Sequence, residues 1–194
     1  MELASIIGDE NTGPRTGMND LVGPAAQSSV AGGVNDAVYN GASGCLEFSG
    51  TGDREAAWSQ QSSHQHSRSD RKFYPHLHII FITANAVQKN SRWKLEVNYA
   101  PLLAESAAAY GAFLASYTNT ITVPTPLAIT AGKCYHYIQD FDTLTIPELT
   151  SSSYIVWKVT RLANSDAADT DTAMIALHSC DLHYESDILG YTPY

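Results

Sequence analysis

The 194-residue sequence predicts an all-β protein: a jelly-roll-like antiparallel β-sandwich with an irregular N-terminal arm. Three observations lead there. Short segments rich in Ile, Val, Trp, Tyr and Thr alternate apolar and polar residues with period two. Clusters of Gly, Pro, Asn and Asp punctuate them at short intervals. No helical pattern recurs between them, as a βαβ fold would require.

The elements follow in chain order. Residues 1–43 are rich in Gly, Ala, Asn and Ser, include Pro14 and Pro24, and carry neither helical nor strand period. Such a segment buries too little apolar surface by itself to offset its ordering entropy. It reads as a disordered tail or, preferably, as an arm that orders on a neighbouring subunit. Leu3, Ile6, Ile7, Leu21, Val22, Val38 and Tyr39 would be its anchors. The sandwich is expected over residues 44–194.

Within it, Cys45–Phe48 is a short strand bounded by glycines, and Glu55–Gln60 a weaker one. Residues 62–71 form a polar loop. Pro75–Thr83 is a strand rich in Ile and Phe. Arg92–Tyr99 alternates cleanly, with Trp93, Leu95, Val97 and Tyr99 on one face. Residues 100–115 are Ala-rich and read as one or two helical turns or as a loop. Thr118–Val123 is a β-branched strand closed by Pro124 and Pro126. Lys133–Tyr137 and Phe141–Ile146 form a strand pair or one bent strand. Tyr154–Leu162 places Ile155, Trp157 and Val159 on one face, and Ala173–Glu185 is a long final strand. About seven to nine strands at this spacing signal a sandwich or jelly roll.

Composition narrows function. Charged residues are 16% of the chain, and 11 Lys plus Arg against 20 Asp plus Glu give a net charge of −9. Scattered, scarce cations argue against nucleic acid and against an anionic membrane surface. No apolar run reaches the roughly 18 residues of a bilayer span, and the first residues lack the basic region of a signal peptide. Cys45, Cys134 and Cys180 are odd in number and far apart, which fits small buried residues in a reducing compartment better than a disulfide framework.

Motifs for phosphate loops, dinucleotide binding, zinc proteases and serine hydrolases are missing, so no catalytic residue is assigned and no enzyme is expected. The histidines are the chemical oddity. His76 and His78 lie two apart on a strand and share a face. With His183 or Asp181 they approach a three-ligand set for Zn or Fe. H-x-H on a strand also suggests a cupin, but the Glu that should follow is replaced by Ile79–Asn85 without a carboxylate. The set is incomplete, so no metal or cofactor is expected. The preferred reading is histidines hydrogen-bonded to neighbouring strands near a subunit contact. His64 and His66 read as solvated, and His136 and His178 as partly buried residues of apolar strands. In the last strand Cys180, Leu182 and Tyr184 point inward. Asp181, His183 and Glu185 form an outward row, either solvated or in contact with a neighbouring chain or with the strand of His76 and His78.

Three segments carry a resemblance. They are Pro75-His76-Leu77-His78; Trp93-Lys94-Leu95-Glu96-Val97 with Tyr99-Ala100; and Trp157-Lys158-Val159-Thr160-Arg161-Leu162, followed by Asp169-Thr170-Asp171 and Asp181-Leu182-His183-Tyr184-Glu185-Ser186-Asp187. Their order resembles a family of tailed-phage virion proteins carrying P-H-x-H-W, W-x-L-E-Y-x-x-A-N, K-L-x-R and D-I-H-Y-E-x-D, across residues 44–190. Ile79 and Pro101 depart from that pattern, and the arm has no match.

The resemblance implies a structural protein of the particle, a capsid decoration (cement) protein or a head-tail accessory protein. The expected partners are the major capsid protein and further copies of the chain, as a trimer or dimer, on the capsid surface. His76, His78, Asp181, His183 and Glu185 would join the arm residues in lattice contacts. Removing residues 1–40 is expected to abolish particle binding and leave the β core folded. The alternative is a carbohydrate-binding or accessory module of a head-tail or tail appendage, with exposed Tyr or Trp stacking on sugars. Its counterweight is that Trp58, Trp93 and Trp157 fall in strands, where tryptophans usually serve the core.

Overall fold

A computed structural model describes residues 16–25, 35–61, 70–100, 115–130, 133–147 and 153–187. Its strands are β1 (Thr16–Pro24), β2 (Val38–Asn40), β3 (Cys45–Phe48), β4 (Arg54–Gln61), β5 (Asp70–Phe81), β6 (Asn90–Ala100), β7 (Ala115–Pro124), β8 (Tyr135–Asp140), β9 (Leu144–Pro147), β10 (Tyr154–Arg161) and β11 (Ile175–Asp187). They form two antiparallel sheets. The larger runs β2-β3-β11-β5-β8, with β1 also paired to β11 and β9 to β5; the smaller runs β4-β10-β6-β7. The chain crosses between sheets at β3–β4, β4–β5, β5–β6, β7–β8, β9–β10 and β10–β11, which is jelly-roll connectivity.

The alternation legible in the sequence builds the core between the sheets. Trp93, Leu95, Val97 and Tyr99 of β6 face Phe48, Leu77, Ile79, Leu182 and Tyr184 of the larger sheet across one apolar layer. Phe48 meets Trp93 edge-on at 5.0 Å, and Trp58 stacks on Trp157 at 6.2 Å. The indoles also satisfy their polar edges. Trp93 Nε1 donates to Ser91 Oγ, and Trp157 Nε1 reaches across the sandwich to the Cys180 carbonyl.

A charged network lies inside the sandwich. Arg161 is fully buried, and its guanidinium donates to both oxygens of Asp169 at 3.1 and 3.2 Å. The same group donates to the carbonyls of Phe48, Ala173 and Asp171. Every face of this ion is used, as burial of a charge demands. It pins the loop after β10 to the end of β3.

Two expectations are corrected. Part of the segment expected to be an arm over residues 1–43 belongs to the sandwich: β1 pairs with β11 from Thr16↔Asp187 to Pro24↔Ser179, and β2 pairs with β3. β1 contains Gly, Asn, Asp and Pro, residues of low strand propensity, so a distant partner dictates its conformation. Leu21 of β1 lies in the core and not at a free contact face. Trp58 Nε1 donates to the Pro24 carbonyl and ties β1 to the opposite sheet. Removing residues 1–40 would therefore strip a core strand. β5 also starts earlier than expected, at Asp70. Residues 101–114 of the Ala-rich stretch, residues 62–69, and the ends before 16 and after 187 lie outside the described residues, as do Leu3, Ile6, Ile7, His64 and His66; Ala100 and Ala115 end β6 and begin β7.

Candidate functional site

β11 and β5 form the centre of the larger sheet. On one edge β11 pairs first with β3, at Ile175–Leu177, and then with β1, at Ser179–Asp187. The changeover coincides with a register irregularity against β5 between Leu177 and Ser179. The bulge has a sequence cause. Ile175 and Leu177 are core residues of odd number, Cys180, Leu182 and Tyr184 core residues of even number. One extra residue must be absorbed for both sets to face inward. His178 is that residue, and it is exposed on the outer side.

Register then assembles a histidine cluster on the outer face of the larger sheet. Asp181 lies opposite His76, and Ser179 opposite His78. On the other side of β5, β8 places Ile138 opposite His78 and His136 opposite Ile80. His76 Nε2 and His78 Nε2 are 3.0 Å apart. Asp181 Oδ2 lies 3.2 Å from His78 Nε2 and 3.6 Å from His76 Nε2. His183 Nε2 approaches His76 Nε2 to 3.3 Å, and His136 Nε2 approaches His78 Nδ1 to 3.1 Å. The His178 ring meets His78 edge-on.

The cluster is more covered than an outer sheet face usually is. His76 and Asp181 are buried, while His78 and His183 are half-buried. Asp181 Oδ2 accepts from Ser179 Oγ at 3.4 Å, but Asp181 Oδ1 is buried and has no hydrogen-bond partner among the described residues. Burial pushes the His78 imidazole below its ordinary value; the Asp181 carboxylate pulls the other way, and His76, His136 and His178 add to the downward push. Beside the cluster a shallow depression of about 450 Å³ is lined by Val22, Pro24 and Ile80 as well as by His78, His136 and Asp181.

The structure thus brings together four residues singled out from sequence: His76, His78, Asp181 and His183. Glu185 lies on the same strand, its side chain outside the described residues. Val22, Val38 and Tyr39 are exposed. His136 and His178 were not expected in the cluster. The flip of apolar parity along β11 announces His178, whereas the approach of His136 depends on β5–β8 register, which the sequence does not display.

The other outer face is different. On β4, β6 and β10, Lys158 Nζ bridges Glu96 at 3.1 Å and Glu55 at 3.4 Å, and Lys94 Nζ meets Glu96 at 3.1 Å. The two Lys158 pairs join neighbouring strands, whereas Lys94 and Glu96 lie two apart on the same face of β6. Trp58, Trp93 and Trp157 are all buried, so none offers a stacking platform for sugars. Among the described residues, no helix is long and apolar enough to cross a membrane. No family model and no curated protein matches the chain.

Proposed function

We propose that this chain is a structural protein of a phage virion, a capsid decoration protein that docks on the lattice of the major capsid protein through the outer face of its larger sheet. The observation that carries the reading is the asymmetry of the two outer faces. One is closed by ion pairs among Glu55, Glu96, Lys94 and Lys158. The other exposes Val22 and Ile138 on either side of the histidine cluster and its shallow depression. An apolar exposed patch rimmed by polar groups is the mark of an interaction surface. The ordered segments that resemble motifs of tailed-phage virion proteins support the choice of partner class. Three of their residues serve the framework: Trp93 and Trp157 in the core and Arg161 in the buried ion network. A protein whose work is adhesion needs such stiffness and no catalytic group. Repeated copies on a lattice then add avidity to individually modest contacts.

Cryo-electron microscopy of particles made with the gene intact and with it deleted tests the reading. The expected result is a sandwich-shaped density at regular head positions that disappears on deletion. Val22→Asp with Ile138→Asp should lower its occupancy, while Lys94→Gln should leave it unchanged. Purified virions from which the chain is absent by mass spectrometry would end the reading.

A further inference from the structure

We propose that His76, His78 and Asp181 form a binding site for one divalent transition-metal ion of the zinc class, clamping β5 to β11 on the outer face of the larger sheet. The inference goes beyond the docking role and does not rest on it. Its first support is geometric. One ligand atom from each of these residues lies within 4.8 Å of the others. The separations of 3.0, 3.2 and 3.6 Å straddle the edge of about 3.3 Å that a tetrahedral ion with bonds of about 2.0–2.1 Å imposes on its ligands.

The second support is hydrogen-bond arithmetic. A neutral imidazole nitrogen either donates or accepts. If His76 Nε2 donates to His78 Nε2, the latter cannot also donate to Asp181. If His78 Nε2 donates to Asp181, it has no lone pair left for His76. Short of one proton shared between both neighbours, no set of protons serves the 3.0 and 3.2 Å contacts together; the 3.6 Å approach of His76 to Asp181 is too long for a hydrogen bond, and Asp181 Oδ1 is buried without a hydrogen-bond partner among the described residues. A cation in the centre satisfies all three lone pairs at once.

The surroundings agree. With His78 Nε2 on the ion, His78 Nδ1 carries the proton and donates to His136 Nε2 at 3.1 Å, the outer-shell bond that fixes a ligating imidazole in its tautomer. His183 Nε2, 3.3 Å from His76 Nε2, is the next donor at hand. Two histidines and one carboxylate suit zinc, iron or cobalt and leave further coordination positions to solvent or to a partner's ligand.

The test is Zn²⁺ titration of the metal-stripped full chain, with uptake measured by a competing chromophoric chelator. Cys134→Ser is used as background because Cys134 is the exposed thiol. One Zn²⁺ per chain, a rise in melting temperature on loading and visible ligand-field bands with Co²⁺ are expected. Asp181→Asn should weaken binding at least tenfold, and His76→Gln with His78→Gln should abolish it. His64→Asn with His66→Asn should change nothing. Circular dichroism of each metal-free variant establishes that it is folded, and the stoichiometry, melting shift and Co²⁺ spectrum of the unsubstituted site stand without any variant. Uptake well below one ion per chain overturns the proposal, and so does uptake that survives loss of both histidines. Because the readout uses the isolated chain, its failure leaves the docking reading untouched.

Discussion

Asp169→Asn isolates the worth of the buried ion network. The side chains of Arg161 and Asp169 are 0% and 1% exposed. Asp169 Oδ2 accepts from Arg161 Nε and from the Arg92 backbone N–H at 3.0 Å; Oδ1 accepts from Arg161 Nη2 and from the Asp171 N–H at 3.3 Å. Asparagine keeps the shape but removes the charge, and it turns one of those oxygens into an NH₂ that faces two donors. Breaking a buried pair by neutralising one partner costs about 3–5 kcal/mol, because the other charge is left uncompensated. For a domain of this size each kcal/mol moves the melting temperature by about 2–4 °C, so a drop of roughly 6–20 °C is expected. Urea unfolding followed by fluorescence reads it directly, since Trp93 and Trp157 are fully buried. Arg161→Met alone leaves the carbonyls of Phe48, Ala173 and Asp171 without this donor. The double variant should therefore lose less than the two single losses added together. A loss for Asp169→Asn below about 1 kcal/mol, the scale of an exposed pair, would refute the role assigned to the network.

Three further outcomes are expected. A Cβ at Gly23 would sit 2.6 Å from the Cys180 carbonyl and 2.9 Å from Trp58, so Gly23→Val should lift β1 from β11 at a cost of about 1–3 kcal/mol; retained amide protection over residues 16–24 would contradict this. Burial raises Glu96, but hydrogen bonds from Lys94 and Lys158 outweigh it and hold the carboxyl below 4.5. Its folded value being depressed, the stability it adds is present above 4.5 and is lost as pH falls through the folded value. Glu96→Gln should thus cost up to about 1 kcal/mol at neutral pH and progressively less under acid, and a pH-independent difference between the two proteins would count against it. Burial pushes the thiols of Cys45 and Cys180 upward, while Cys134 is exposed. A disulfide reagent should modify one thiol quickly in the folded chain and all three only after unfolding; rapid reaction of a second would show that the core is looser than described.

Residues whose burial is set by their own strand were legible in the sequence. Trp93, Leu95, Val97 and Tyr99 announce the core face of β6 by alternation alone, and Cys180, Leu182 and Tyr184 do so for the end of β11. Features set by a distant partner were not. Thr16–Pro24 has no strand signature because it becomes a strand only against β11, with Trp58 and Trp157 packed where a side chain at position 23 would go. Arg161 resembled any charged residue at a strand end until Asp169 and three carbonyls closed around it.

The histidine cluster lies between these cases, and the difference matters for function. Period two places His76 and His78 on one face of β5, but says nothing about what stands beside them. Sliding β11 by one residue against β5 would exchange Asp181 for Cys180 or Leu182 opposite His76, bringing a thiol or an isobutyl group beside it in place of the carboxylate. The bulge around His178 prevents that slip, because both Leu177 and Cys180 must reach the core. Packing of the apolar layer therefore fixes the register that holds the polar cluster together. Any substitution that relaxes the bulge should loosen the cluster before it unfolds the sandwich, since the core residues on either side keep their own partners.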